Sequence, residues 1–185
     1  MRWGEATALQ VQDLRLGGPG PTVNVQRAWK RSPRGAQSSF FLGPPKTRKA
    51  RRLVALAPTQ VDLARRLTQG VSPEAFLFRT PTGKAWRHSN FYNRKWIPAV
   101  AAAMETGLPP RPRIHDLRHS HVAWLVAANI PLPAIQARLG HESIQTTIDR
   151  YGHLVRSLDS DISAAVQAAM GGRSPSHRGL QLISA

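Results

Sequence analysis

Two histidine-containing strings and a tyrosine in the C-terminal half of the chain carry side chains that can act on an anionic substrate. In the string His115-Asp116-Leu117-Arg118-His119, the first histidine and the arginine are three positions apart, so a helix would place both on one face. A guanidinium beside an imidazole suits an anionic oxygen, because the guanidinium binds the charge while the imidazole moves a proton. His141 follows a glycine, and Tyr151 comes ten residues later.

Two basic residues near the N-terminus complete this set. Lys46 lies at the tip of a basic turn, and Arg2 lies in the first predicted helix. Each residue taken alone has an ordinary structural explanation. Arg118 could be a surface charge, Tyr151 a half-buried aromatic side chain, and His141 the cap of a helix end.

A metal site is an alternative use of the histidines. His115 and His119 are four positions apart, which also places them on one face of a helix. No set of acidic partners accompanies them, and His121 falls off that face, so we predict neither a metal nor a cofactor. The sequence contains no cysteine, which excludes disulfides, cysteine zinc sites and thiol catalysis.

The charge of the chain predicts a polyanionic partner. Its 185 residues fit one domain and include 26 basic and 10 acidic residues, which gives a net charge of +16. Of the basic residues, 21 are arginine, whose planar guanidinium forms bidentate contacts with phosphate. Nucleic acid is therefore the expected partner. The alternative is a basic surface that is merely solvated.

The hydrophobic content points to a folded protein of the cytoplasm. Hydrophobic residues make up 41% of the chain, which is typical of a globular domain rather than a disordered basic tail. No apolar run reaches the roughly 18 residues that a membrane span needs. The first residues lack the apolar stretch of a signal peptide, so we expect a cytoplasmic protein.

The N-terminal third of the sequence predicts a helix followed by a small antiparallel sheet. The predicted elements are a helix over residues 2–11 and strands over 22–29, 38–42 and 52–56. Between the last two strands lies a basic turn, residues 44–51. Ten basic residues and no acidic residue occur from Leu14 to Val61, so this sheet is expected to carry much of the positive charge.

The remainder of the chain is predicted to be mainly helical. Apolar residues recur at helical spacing, and Ser, Pro and Gly mark the ends. Pro98 is expected to kink one helix. We therefore predict a mainly α fold with a small antiparallel three-stranded β-sheet, in the α+β class. The expected elements are helices over 58–70, 89–104, 115–128, 131–139, 143–150 and 160–170, a short apolar strand or edge at 75–78 and a polar tail from 171.

The order Arg, Lys, His-x-x-Arg, His, Tyr resembles the tyrosine recombinase family, also called phage integrases. The resemblance runs from Arg2 to about Met170, and it is most specific between His115 and Leu154. The strings that carry it are Met1-Arg2-Trp3-Gly4-Glu5-Ala6, Pro45-Lys46-Thr47 with Arg51-Arg52-Leu53-Val54, His115-Asp116-Leu117-Arg118-His119-Ser120-His121, Leu139-Gly140-His141-Glu142-Ser143-Ile144-Gln145-Thr146-Thr147, and Tyr151-Gly152-His153-Leu154.

The resemblance implies how the scissile phosphate of DNA would be held. Arg2 and Arg118 would bind its two non-bridging oxygens, and His141 would add a further hydrogen bond. Phosphoryl transfer develops charge on these oxygens, so fixed guanidinium groups stabilise the transition state. No metal is then required, because the arginines supply its charge.

The resemblance also assigns the groups that make and break bonds. Tyr151 would attack phosphorus and form a covalent 3′-phosphotyrosyl link. A free phenol has a pKa near 10, so the nucleophile needs a base, and His115 is the candidate. Lys46 would protonate the departing 5′ oxygen. The link retains the energy of the phosphodiester bond, so strands can be rejoined without ATP.

The partner implied is double-stranded DNA at a specific recombination site. We expect a homo-tetramer on DNA, an accessory host DNA-bending protein as a further partner, and association with the nucleoid in the cytoplasm. Residues 1–170 are expected to form the catalytic domain without its first helices, and 171–185 a flexible tail, with the N-terminal DNA-clamping domain absent. The expected DNA contacts are Arg48, Lys49, Arg51, Arg52, Arg94 and Lys95.

Three functions are therefore carried forward. The first is a site-specific recombinase or integrase that cleaves and rejoins DNA. The second is a catalytically impaired integrase remnant that only binds DNA. The third is a basic protein associated with RNA or the ribosome, which the complete catalytic set disfavours because binding alone needs no tyrosine nucleophile.

Overall fold

The computed structural model describes residues 1–108, 112–140, 145 and 166–167. Contacts divide the chain into two units, Met1–Leu154 and Val155–Ala185. The predicted helices over 143–150 and 160–170 and the tail from 171 lie outside the described residues, except that positions 145, 166 and 167 are helical. The expected domain boundary at residue 170 stays a prediction.

Two antiparallel sheets lie in the N-terminal half of the first unit. Their strands are β1 (Leu14–Arg15), β2 (Thr22–Val25), β3 (Ala28–Arg31), β4 (Phe40–Gly43) and β5 (Arg52–Ala55). In the first sheet the strand order is β1-β2-β5, and Val23 of β2 is opposite Val54 of β5. In the second sheet β3 and β4 form a hairpin in which Trp29 is opposite Leu42.

The α+β class and the three-stranded antiparallel sheet are confirmed, but the strands of that sheet differ from those predicted. The single strand predicted over 22–29 divides at Gln26 and Arg27 into β2 and β3. Both side chains donate to the buried carboxylate of Asp13, at 2.7 Å from Gln26 Nε2 and 3.1 Å from Arg27. This contact turns the chain out of the first sheet, so the strand predicted over 38–42 pairs in the second sheet instead.

The first helix is shorter than the sequence predicts. Helix α1 covers Trp3–Ala6, whereas helical spacing favoured residues 2–11. Beyond α1 the backbone bonds with a distant segment: the Leu77 amide donates to Leu9 O at 2.8 Å, and the Val11 amide donates to Ala75 O at 3.0 Å. The prediction was wrong because these tertiary bonds outweigh local helix preference. They also show residues 75–78 as an edge rather than a strand, with an isolated bridge between Phe76 and Gln10.

The sheet half of the molecule is held by one apolar core. Its buried members come from the segment after α1, from β2, from β5 and from the apolar edge. Leu14, Leu56 and Leu67 pack against them from the side. The core residues are Leu9, Val23, Val25, Val54 and Leu77.

Helix α2 (Pro58–Thr68) and the region His88–Glu105 follow the sequence prediction closely. The second is continuous through α3 (His88–Phe91), a π-helical turn (Tyr92–Trp96) and α4 (Ile97–Glu105). Pro98 has no amide hydrogen to donate, and its ring crowds the preceding turn. The helix accommodates it with the π turn directly before the proline, in which the Ile97 amide donates to Tyr92 O.

A second core joins the two helices that carry the catalytic candidates. Helix α5 is Asp116–Ala127 and helix α6 is Leu132–Leu139, and both confirm the predicted helices. Among the described residues, no helix is both long and apolar enough to cross a membrane. The buried residues of this core are Val122 and Val126 from α5 and Ile135 and Leu139 from α6.

Candidate active site

Two arginines from distant parts of the chain meet at the C-terminal end of α6. Arg118 on α5 is 7% exposed, and its guanidinium donates to Leu139 O at 2.8 Å. Arg52 at the start of β5 donates through Nε to the preceding carbonyl, Arg138 O, at 2.7 Å. The last carbonyls of a helix lack partners within it and carry the negative end of its dipole. The two cations therefore satisfy this helix end and are fixed by it.

Gly140 ends α6 in a space where a larger residue would not fit. Its φ of 65° lies in the left-handed region, as expected for a helix stop. A Cβ at this position would lie 2.8 Å from a terminal nitrogen of Arg52 and 3.0 Å from the Cα of Ala50. The helix end therefore packs directly on the start of β5, immediately before His141.

Replacing Gly140 by Ala should lower the free energy of unfolding more than the same change at Gly70. Both glycines have positive φ, at 65° and 68°, which costs an L-residue about 1–2 kcal/mol. Only Gly140 has neighbours within 4 Å of the added Cβ. Denaturant unfolding of the two variants measures the difference. Equal losses at the two positions would contradict the close packing of the helix end.

A buried carboxylate connects Arg52 to Arg2. The Arg52 side chain is 6% exposed and donates to Glu5 Oε2 at 3.0 Å and to Ala50 O at 2.7 Å. Glu5 also accepts from the Arg2 amide at 2.9 Å and the Arg2 guanidinium at 3.0 Å. Burial by itself would raise the pKa of Glu5, but the hydrogen bonds from Arg52 and Arg2 hold it below its usual value. Glu5 is therefore ionised at neutral pH.

Electrostatics around this network favour an anion. Burial, and then the charge of Arg118, lower the pKa of the Met1 amino group to about 6. Arg138 donates through Nε to His121 Nε2 at 3.0 Å, so that nitrogen is an acceptor. Burial and the nearby Arg138 charge lower the pKa of His121 as well. Besides burial, the charges of Arg118 and Arg138 disfavour a further positive charge at these positions, and the same charges would attract a phosphate oxygen.

The remaining predicted catalytic residues are placed as follows. His115 is the exposed N-cap of α5, its carbonyl accepts the Arg118 amide at 3.0 Å, and its ring meets His119 edge-on with centroids 4.9 Å apart. Lys46 is exposed on the loop after β4, and the described contacts do not join it to the network. His141 and Tyr151 lie outside the described residues.

The structure gives Arg52 a different role from the DNA contact that the sequence predicted. Its side chain is buried and donates to protein oxygens, so we assign it to the interior of the site. Arg52 follows several other basic residues in the sequence, and no local pattern shows that its side chain is the buried one. The other predicted DNA contacts are all exposed: Arg48, Lys49, Arg51, Arg94 and Lys95.

Sequence reasoning missed three residues of this network. Glu5 was not singled out, although it lies three positions after Arg2 in a chain with only 10 acidic residues, and that spacing is a usable signal for an ion pair. Arg138 and His121 were also missed as partners. Seventeen positions separate them, so no local pattern indicates their contact.

Comparison with protein families gives one match that spans most of the chain. A family model described as the phage integrase family matches residues 1–157. The ICEBs1 integrase of Bacillus subtilis (strain 168) is 30% identical over 168 residues, which cover 83% of this chain and 42% of that protein. The integrase of Staphylococcus phage L54a is 27% identical over 174 residues, covering 90% and 48%. The chain spans about half the length of these curated relatives.

Solved structures with the same fold are also found. The Tn1549 transposon integrase, in complex with circular intermediate DNA, has a TM-score of 0.71 and 20% identity, covering 91% of this chain and 56% of that one. The XerH site-specific recombinase, bound to a palindromic difH substrate, has a TM-score of 0.55 and 20% identity, covering 92% and 42%. At this level of identity the likeness shows that the folds agree.

Proposed function

Because the chain belongs to the phage integrase family, we propose that it carries the strand-transfer site of a site-specific DNA recombinase. It would cleave and rejoin double-stranded DNA through a covalent 3′-phosphotyrosyl intermediate. The observation that carries this proposal is the bond between Arg118 and Leu139 O. It joins the His-x-x-Arg string to the Leu-Gly-His string across 21 positions.

The proposed reaction begins with the phosphate held between cations. Arg118 and Arg2 bind the non-bridging oxygens, with His141 as a further donor. The two arginines are anchored before substrate arrives, Arg118 by the end of α6 and Arg2 by Glu5. Donors that need no reorganisation stabilise the charge that develops on the oxygens in the transition state.

The covalent step exchanges one phosphoester bond for another. The Tyr151 oxygen forms a bond to phosphorus as the bond from phosphorus to the 5′ oxygen breaks. The phenolic proton passes to His115, and Lys46 donates a proton to the departing 5′ oxygen. The reverse sequence, with a 5′ hydroxyl from another strand as the nucleophile, rejoins the DNA. The position of His115 one helical turn from Arg118 supports its part in this step.

The experiment captures the covalent intermediate. The probe is a pool of labelled duplexes with a randomised central segment and one nick. Cleavage a few nucleotides to the 5′ side of the nick releases a short strand with its 5′ hydroxyl, which prevents rejoining. We expect the full chain to give a denaturation-resistant protein–DNA adduct, and sequencing of its DNA to show an enriched site.

The matched control is Tyr151→Phe, which removes only the nucleophilic oxygen. It should shift DNA in a native gel as the unaltered chain does, but form no adduct. If the unaltered chain also gives no adduct while it shifts DNA, the recombinase proposal fails and the chain only binds DNA. The tetramer on DNA, the accessory DNA-bending protein and the association with the nucleoid stay predictions.

A further inference from the structure

We infer that Arg52 is a positioning residue that fixes the segments of Arg2 and Arg118 relative to each other. The inference rests on the proposed function, since those arginines are the proposed phosphate ligands. Arg52 itself needs no contact with DNA for this role. It lies at the one point where the described structure joins α1, the start of β5 and the end of α6.

Arg52 donates hydrogen bonds in three directions. Nε bonds to Arg138 O of α6 at 2.7 Å, one terminal nitrogen to Ala50 O at 2.7 Å, and the other to Glu5 Oε2 at 3.0 Å. A planar guanidinium offers these donors in a rigid fork. The side chain is 6% exposed, so water competes little for the bonds. One residue thereby sets the distances between three separate segments.

Two of these segments lead directly to proposed catalytic groups. Glu5 holds Arg2 through two hydrogen bonds. The carbonyl after Arg138 O is Leu139 O, which accepts from Arg118, and His141 follows two residues later. A displacement of α1 relative to the end of α6 would therefore move Arg2 with respect to Arg118.

A lysine cannot reproduce this arrangement. It keeps the positive charge beside Glu5, but an ammonium on a flexible stem does not offer the fixed fork that meets three oxygens in different directions. The carbonyl at the end of α6 or Ala50 O then loses its partner. Arg52→Lys therefore separates the positioning function from the charge, and Arg52→Ala removes both.

The matched control is an exposed arginine outside the proposed site and outside the predicted DNA contacts. Arg66 on α2 is exposed and carries the same charge, so Arg66→Ala removes equal charge without touching the network. Its rate of adduct formation at saturating DNA should equal that of the unaltered chain.

For Arg52→Lys and Arg52→Ala we expect the opposite result. DNA affinity and its salt dependence should stay close to those of the unaltered chain, because the side chain is buried. The rate of adduct formation at saturating DNA should fall by roughly 10²-fold, since a misplacement near 1 Å costs that much. Guanidinium ion added to Arg52→Ala should restore part of the rate. The same rate loss in Arg66→Ala, or an unchanged rate in Arg52→Lys, would overturn the inference.

Hydrogen–deuterium exchange tests the network without any reaction. Arg52→Lys should raise amide exchange both in α1 and in the last turn of α6. The control Arg66→Ala should raise it in neither. Gly140→Ala places a Cβ against the Arg52 guanidinium and should raise exchange in the same two segments as Arg52→Lys does. It replaces Arg52→Ala in this test if that variant does not fold. If the unaltered chain forms no adduct, the proposed function fails, and exchange alone then decides whether Arg52 couples the two segments. If Arg52→Lys raised exchange in only one of the two segments, Arg52 would not couple α1 to the end of α6.

Discussion

Replacing Arg118 by Lys is expected to lower the rate of covalent adduct formation at saturating DNA by about 10²–10³-fold, the loss that follows removal of one fixed donor to a developing oxyanion. Lysine keeps the charge but cannot hold Leu139 O and a phosphate oxygen with one planar group. Arg118 is buried, so the loss should appear in the rate much more than in the affinity for DNA. Single-turnover adduct formation and gel-shift titration measure the two quantities.

Arg113→Lys is the control for this change. Arg113 lies just before α5, is 77% exposed and pairs with Asp116 at 3.0 Å. Arg113 is therefore an arginine close to Arg118 in the sequence, but its side chain is exposed and makes different contacts. Its variant should form adduct at the unaltered rate. An Arg118→Lys variant that also keeps the full rate would show that the buried guanidinium at the end of α6 takes no part in strand transfer.

Replacing Glu5 by Gln is expected to lower the free energy of unfolding by about 3 kcal/mol, because it removes one partner of a buried ion pair and leaves the charge of Arg52 uncompensated. Glutamine keeps the size of the side chain and one acceptor oxygen. Urea unfolding monitored by circular dichroism gives the difference. The control is Asp62→Asn, which breaks an exposed pair with Arg65 at 3.6 Å and should leave stability nearly unchanged.

The same ion pair predicts how stability depends on pH. The pKa of Glu5 is lower in the folded protein than its ordinary value of 4.5. The stabilisation from its ionised form is therefore fully present above that value and is lost as pH falls through the folded pKa. Glu5→Gln should flatten the acid limb of a plot of unfolding free energy against pH below about 4.5. An unchanged acid limb would contradict the pairing.

The sequence predicted the helices of the candidate site because their signals are local. The apolar spacing in α5 and α6 and the glycine at position 140 depend on neighbouring residues, and the structure has both helices and the left-handed stop. The short first helix was not predictable in the same way. The helix does not continue past Ala6 because the backbone of Leu9 and Val11 forms hydrogen bonds with a segment more than sixty residues away.

The division of labour among the arginines was also beyond the sequence. Arg51 and Arg52 are adjacent and of the same type, yet one is exposed and the other is the centre of a buried network. Arg52 is buried because its side chain meets the carboxylate of Glu5, 47 positions earlier, and the carbonyl of Arg138, 86 positions later. Only the packed fold brings these partners to one side chain.

The most direct test of the account is to identify the amino acid that is linked to DNA. The adduct formed by the full chain would be digested with nuclease and trypsin and analysed by mass spectrometry. Trypsin cuts after Arg150 and Arg156, so the proposed nucleophile would lie in the six-residue peptide Tyr151-Gly152-His153-Leu154-Val155-Arg156. We predict that this peptide carries a nucleotide joined through its 3′ phosphate to the tyrosine oxygen. A nucleotide on any other residue, or an adduct that persists in Tyr151→Phe, would contradict the proposed mechanism.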